Sequence, residues 1–392
     1  MPDSSTAPLH AEAARAHFLD NFKQRGELGA SVSVWSASGE QLSLAGGFED
    51  SAKTRPWTAA SRVLVWSATK GPSAACVLHA LTDARLSLDT PVAKLWPEFA
   101  AAGKSAVTVR MILQHQAGLC ALDSPPSVYE REAVVAALAA QPPAWEPGTA
   151  HGYHPRTFGF LVDELMRRLN GFSLGHYWRR IFAEPLDLDF HIGLPESLQD
   201  NVAPMQSPKG TLPKDDPFLT AFMTPGSLTS RSFASPKGLH SASTMNDAQA
   251  RRAEFPGWGG IGTAEGLAKF YALLAGDGCL GSQRLFSQDT LTLIRGPGTQ
   301  GIDRVLQMET CFSLGFMRDP LSPDGTKIRR TFGPSATAFG HPGAGGSVAF
   351  ADPERGLGFA YVMNQMEPGV LPNLKSAGLW AALLEDPSES RK

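Results

Sequence analysis

The sequence predicts an α/β (α+β) protein: a mixed or antiparallel sheet flanked by helices, built from both chain ends, with an all-helical domain inserted between them. Two observations predict the sheet. Alternating apolar runs occur near the start, in "GASVSVWSASG" and "QLSLAGGFED" (29–50), and again near the end, in "CFSLGFMRD" and "TAFGHPGAGGSVAFADPERGLGFAYVMNQ" (311–365). A period of two is the mark of strands with one buried face. The third observation is what lies between them: segments of helical period and no further long alternation. Strands at both ends around a helical block imply one sheet shared by the two ends. The expected boundaries are 1–85 and 255–392 for a discontinuous α/β domain, and 86–254 for a mainly helical insertion with a long loop region at 195–254.

Along the chain, "HAEAARAHFLDNFKQR" (10–25) reads as an amphipathic helix with Ala11, Ala14, Phe18, Leu19 and Phe22 on one side. The two alternating runs that follow are split by "ASGE", a strand–turn–strand signature. "VLVWSATKGPSAACVLHAL" (63–81) begins β-branched and turns helical at Ser67-Ala68-Thr69-Lys70. "VTVRMILQHQAGL" (107–119) enters a helix expected to stop at Gly118, and "REAVVAALAA" is a helix leading into a Pro-rich loop. "TFGFLVDELMRRLNG" (157–171) is strongly periodic through Leu161, Leu165 and Leu169, with a glycine stop; "SLGHYWRRIFAEPL" is another helix. Residues 195–257 are rich in Pro, Ser and Gly with scattered aromatics, and 201–256 is a candidate lid or active-site wall. "GTAEGLAKFYALLAGDG" (262–278) is a capped helix, and "LPNLKSAGLWAALLED" (371–386) a final one.

Composition narrows the function. The 392 residues are 42% apolar, enough for a large core, and the net charge of −3 offers no basic face for nucleic acid. No apolar run is long enough to span a membrane, and no signal sequence opens the chain. Four scattered cysteines without a CxxC suggest neither a zinc ribbon nor a disulfide framework. These features predict a cytoplasmic protein acting on small molecules, with no cofactor and no metal.

The chemistry centres on Ser67 and Lys70. On a helix, residues three apart share a face, with Cβ atoms roughly 5–6 Å apart. Lysine is rarely buried unless paired or functional. A buried lysine loses its proton more readily and can then activate an adjacent serine as a nucleophile. A helix N-terminus at the serine would favour developing negative charge.

Four further segments, in order, resemble the serine β-lactamase and penicillin-binding-protein superfamily, most closely its class C-like, family VIII carboxylesterase branch. "MILQHQAGL" (111–119) resembles the branch's His…Gly-Leu turn, with Gln116-Ala117 where Thr-Ser is usual. "WEPGTAHGYHPRTFGFLVDEL" (145–165) resembles the segment carrying a catalytic tyrosine, here Tyr153. "GGIGTAEGLAKFYALLAGDG" (259–278) resembles the returning helix, and His341-Pro342-Gly343 stands where a KTG or HxG triad is expected. The resemblance runs over nearly the whole chain. It implies Ser67 as the acylated nucleophile, with Lys70 and Tyr153 sharing proton transfer. A phenol titrates near pH ~10, so as a base Tyr153 would need the charge of Lys70 close by. The resemblance also implies an oxyanion hole from the backbone N–H groups of Ser67 and Ala344. His341, Gly343 and Trp258 are implied as substrate-facing.

Two departures matter. Pro155 follows Tyr153-His154 where a β-lactamase carries asparagine to hold a substrate amide, and HPG lacks the KTG lysine that attracts a carboxylate. Both suit a neutral ester. A β-lactamase or D-amino-acid peptidase on the same fold, and a non-catalytic binding or scaffold protein, remain open at this point. So does a GxSxG esterase using Ser173 in "GFSLG" (171–175), although that motif needs a preceding strand and the sequence offers a helix. Gly171 reads instead as a C-cap and Ser173 as an N-cap. His151 and His154 form HxxH without a zincin glutamate or a nearby third ligand, and read as loop or pocket-lining residues. His115 reads as a structural hydrogen-bonding residue, Asp352 and Glu354 as part of a hairpin turn, and the MRR and WRR arginines as solvated helix faces. The sequence leaves the oligomeric state open.

Overall fold

The computed structural model describes residues 9–384. The N-terminal helix α1 (Ala11–Gln24) leads into the hairpin β1 (Gly29–Ser36) and β2 (Gly39–Gly47). The short β3 (Val63–Leu64) precedes α2 (Lys70–Asp83), and α3 (Val92–Leu95), α4 (Val109–Leu113), α5 (Arg131–Ala140), α6 (Thr157–Asn170) and α7 (Leu174–Trp178) follow. After β4 (Phe190–Ile192) come four short helices, α8 (Pro217–Met223), α9 (Leu228–Ala234), α10 (Ala242–Met245) and α11 (Ala248–Arg252). The chain continues through β5 (Gly260–Gly262), α12 (Ala264–Ala275), β6 (Cys279–Leu280), β7 (Gln283–Arg284) and α13 (Gln288–Arg295). It ends with β8 (Thr299–Ile302), β9 (Glu309–Phe312), β10 (Met317–Arg318), β11 (Phe339–Pro342), β12 (Val348–Asp352), β13 (Leu357–Met363) and α14 (Leu374–Leu384). Residues 385–386 of the expected final helix lie outside the described residues.

The main sheet has the order β2-β1-β13-β12-β11-β10-β9-β8 and is antiparallel at every pairing. The two ends of the chain meet between its second and third strands, where Val32 of β1 lies opposite Tyr361 of β13. Burial on both faces explains why β12, up to Ala351, and β13 are continuous apolar runs rather than alternating. Helix α12 packs on β1, β12 and β13, while α1 and α14 pack together, the His10 N–H donating to the Leu383 carbonyl at 2.9 Å. A buried cluster ties the ends further: Tyr361 Oη donates to Glu27 at 2.6 Å, and Lys375 Nζ lies 3.6 Å from the same carboxylate.

Three local expectations need correction. The helix expected to run to Gly118 stops at Leu113, because His115 adopts a left-handed φ of 56°. The Gln116 N–H then reaches the Met111 carbonyl and the His115 N–H the Ile112 carbonyl, a Schellman closure with histidine where glycine is usual. Residues 195–254 are not one long loop. Asp216, Ser227 and Ser241 each cap a short helix there by accepting a backbone N–H, so the serine content that reads as loop is capping chemistry. The arginines of α6 are half-exposed but paired: Arg167 Nε sits 2.8 Å from Asp163 and Arg168 Nε 2.7 Å from Glu164, one turn back in each case. As expected, Gly171 ends α6 with φ 79° and Ser173 caps α7, its hydroxyl accepting from the His176 N–H at 3.3 Å.

Candidate active site

Ser67 sits in a single 3₁₀ turn, Trp66–Thr69, and the α-helix proper begins at Lys70. This corrects the expected α-helical start. In a 3₁₀ turn side chains three apart eclipse, which stacks Lys70 on Ser67 more directly than an α-helix would. Trp66, just before the serine, holds a left-handed φ of 49°, a conformation costing about 1–3 kcal/mol that such sites tolerate when their surroundings enforce it.

The surroundings do enforce it. Thr69 Oγ1 accepts the Gly260 N–H at 2.8 Å, the Val65 N–H donates to the Gly260 carbonyl at 2.9 Å, and Ser73 donates to the Pro256 carbonyl at 2.7 Å. The 256–260 segment is thereby stitched along the start of α2. On the other side β11 presses close. A Cβ on Gly343 would stand 2.1 Å from the Val65 carbonyl oxygen, so no larger residue fits, and this contact places residue 344 beside the Ser67 turn.

Lys70 is fully buried, and its Nζ lies 3.2 Å from Ser67 Oγ, 2.9 Å from the Pro155 carbonyl and 2.6 Å from the Gly257 carbonyl. Burial alone holds its pKa well below the ordinary lysine value. A neutral amine has two N–H groups and one lone pair. In that form, with the two carbonyls taking the N–H groups, the lone pair would be left for the Ser67 hydroxyl; as an ammonium, Nζ donates to Ser67 Oγ instead.

Tyr153 completes the group. Its ring lies 4.7 Å from Lys70 Nζ and stacks on Phe312 at 5.9 Å, and its backbone N–H donates to both oxygens of Asp303 at 3.0 Å. Burial pushes the phenol above its ordinary pKa, and the hydrogen bond to Ser67 opposes this. Burial thus disfavours the charged form of both groups, the ammonium of Lys70 and the phenolate of Tyr153. The phenol is held above its ordinary value, where the sequence expectation has it lowered by the charge of Lys70.

The remaining candidates divide. His341 is buried beside Tyr153, ring centroids 5.8 Å apart, rather than standing on an open wall. Burial, and then the nearness of Lys70, hold its pKa down to about 3. His154, pushed to about 3 chiefly by burial, has one ring nitrogen facing the Gly152 carbonyl and the other accepting the Leu119 N–H, so neither is left for a metal. His151 Nε2 bonds Thr310, and His115 Nδ1 accepts the His154 N–H. Among the described residues no group of three or more His, Cys, Asp or Glu side chains is gathered as metal ligands.

Trp258 belongs to an aromatic stack with Phe255 (4.7 Å) and Phe160 (6.1 Å). It lines a cavity of about 250 Å³ that none of Ser67, Lys70, Tyr153 and His341 lines. Its expected place on the cleft wall is corrected: the neighbouring Gly257, through its carbonyl, is what touches Lys70. Ser173 follows helix α6, not a strand, which removes the nucleophile-elbow geometry. Asp352 accepts from Ser335 at 2.7 Å and Glu354 from Thr337 at 3.0 Å, as fasteners around a turn.

Sequence reasoning missed the Pro155 and Gly257 carbonyls, Asp303 and Phe312. The carbonyls carry no side-chain signal, and the other two lie about 150 residues from Tyr153 with no motif around them.

Comparison with known proteins gives the family. The Beta-lactamase family matches residues 14–382. The esterase/β-lactamase LipL of Mycobacterium tuberculosis is 32% identical over 92% of this chain and 82% of its own. A penicillin-binding-protein homologue from Caulobacter crescentus superposes with TM-score 0.83 and 36% identity, over 96% of this chain and 98% of its own. A family VIII carboxylesterase does so with TM-score 0.84 and 35% identity, over 96% and 97%. The chain belongs to the Beta-lactamase family and is a serine hydrolase.

Proposed function

We propose that the chain is a carboxylesterase that hydrolyses small acyl esters through an acyl-enzyme on Ser67. The observation that carries this is the buried Lys70 Nζ, 3.2 Å from Ser67 Oγ and held by the Pro155 and Gly257 carbonyls; as a neutral amine it spends its two N–H groups on those carbonyls and turns its lone pair to Ser67. Lys70 takes the serine proton as Oγ bonds to the ester carbon. The backbone N–H groups of Ser67 and Ala344 receive the developing oxyanion. The carbon–alkoxy bond breaks, and the alcohol leaves with the Tyr153 proton, which the Lys70 ammonium replaces. Water then gives a proton back to this pair as it attacks the acyl-enzyme, and Ser67 departs protonated as the free acid forms.

The ester reading is supported by what the site lacks in charge and donors. His341 stands at the HPG position as a neutral imidazole at physiological pH. Pro155 contributes only a carbonyl, and Lys70 already uses it. A substrate carboxylate or amide therefore finds neither the cation nor the asparagine that a β-lactamase would offer. The names of the relatives pair esterase with β-lactamase, so the two substrates form the test. The kcat/KM for p-nitrophenyl butyrate is expected to exceed that for a chromogenic cephalosporin by at least about a hundredfold, the order reached when a site lacks a substrate's polar partner. Equal values would replace this reading with a β-lactamase. All four cysteines are unpaired, which supports a reducing, cytoplasmic setting.

A further inference from the structure

We propose that Asp303 is a positioning residue for Tyr153: its buried carboxylate, at the start of the β8–β9 turn, fixes the tyrosine backbone so that the phenol stands over Ser67 and Lys70. The inference rests on Tyr153 acting in proton transfer, as proposed above.

Tyr153 has no local structure to fix it. Residues 151–154 form neither helix nor strand, and the nearest regular element, α6, starts at Thr157. Its position must come from outside, and the β8–β9 hairpin supplies it twice. Asp303 accepts the Tyr153 N–H with both oxygens at 3.0 Å, and Phe312 stacks on the ring, the two planes 9° apart. Two more links join the same partners. The Arg304 N–H donates to the His151 carbonyl at 3.1 Å, and the Thr310 hydroxyl lies 2.8 Å from His151 Nε2 and 3.2 Å from Asp303.

The chemistry of Asp303 exceeds what a turn needs. The N–H groups of Val305 and Leu306 donate to Oδ1 at 2.8 Å, an Asx-type turn that a neutral asparagine would also make. The side chain is nonetheless fully buried, and among the described residues no lysine, arginine or histidine forms an ion pair with it. A buried carboxylate without a cation is costly unless donors saturate it, and here the extra donors are the Tyr153 amide and the Thr310 hydroxyl. The carboxylate's second oxygen thus serves the tyrosine segment rather than its own turn. Its charge also adds to the rise of the phenol pKa, which keeps the proton on Tyr153. Misplacing a catalytic group by about 1 Å can cost on the order of a hundredfold in rate, so this clamp has a large lever.

The test uses the full chain with p-nitrophenyl butyrate, in H₂O and in D₂O, for Asp303→Asn, Asp303→Glu and Tyr153→Phe. Asparagine keeps the shape and removes the second acceptor; glutamate keeps the charge and displaces the carboxylate by one methylene. Both are expected to lower kcat by about 10–100-fold with KM within about threefold, and to raise the solvent isotope effect as the misplaced phenol makes proton transfer slower. Should the asparagine variant fail to fold, the glutamate variant decides alone. Folded Asp303 variants with wild-type kcat and isotope effect, or kcat lost only in proportion to folded protein, overturn the proposal. Wild-type kcat in Tyr153→Phe would instead show that the proton role of Tyr153 is what fails.

Discussion

Ser67→Ala is expected to abolish ester hydrolysis, with kcat lower by more than about a thousandfold, while Ser173→Ala stays within about twofold of wild type. The difference follows from what each hydroxyl faces. Ser67 Oγ lies 3.2 Å from a buried amine, in a turn held by Gly260 on one side and Gly343 on the other. Ser173 faces the first turn of α7, where its oxygen accepts the His176 N–H. Losing a cap costs stability, typically ~1 kcal/mol, and leaves the chemistry alone. Steady-state rates and melting temperatures of the two variants, measured together, separate these effects.

Lys70→Met is expected to lower kcat by about 10²–10⁴-fold, the range that a positioned general base contributes. Methionine matches the length of the side chain but leaves the Pro155 and Gly257 carbonyls without a donor. Each unsatisfied carbonyl costs about 1–3 kcal/mol, offset in part because no amine has to be buried. The pH dependence has a definite sign. In the proposed mechanism Lys70 works as the free base, so wild-type kcat/KM is expected to rise with pH through its lowered pKa and to be lost below it. The unfolded chain keeps the ordinary lysine value of 10.5, so between the lowered folded value and 10.5 the unfolded state binds the extra proton. Lys70 therefore contributes a stability that climbs with pH across that window. Lys70→Met should flatten that part of the stability profile, as followed by melting at several pH values.

How far the sequence reaches can be seen residue by residue. Ser67, Lys70 and Tyr153 are legible because their chemistry depends on side-chain identity at short spacing or within a recognisable segment. The shared sheet is legible because its strands alternate or run apolar at both ends of the chain. Asp303 is not: "GIDRV" is an ordinary turn sequence, and the role proposed for it rests on a contact 150 residues away. The Pro155 carbonyl is not legible either. As a residue type, proline reads only as the loss of an asparagine, yet its backbone oxygen holds Lys70 at 2.9 Å. Trp258 misleads in the opposite direction. A tryptophan before two glycines beside the site looks like a cleft wall, but stacking on Phe255 draws it away and leaves Gly257 as the contact. The short helices at 217–252 were hidden because serine and aspartate serve caps and loops alike.

The central claim is that Ser67 is the nucleophile, and covalent trapping tests it most directly. The protein would be treated with a p-nitrophenyl alkylphosphonate, digested, and its peptides mapped by mass spectrometry. The account predicts a single adduct, on the peptide carrying Ser67, appearing as esterase activity disappears. An adduct on Ser173, or full loss of activity with Ser67 unmodified, would contradict it.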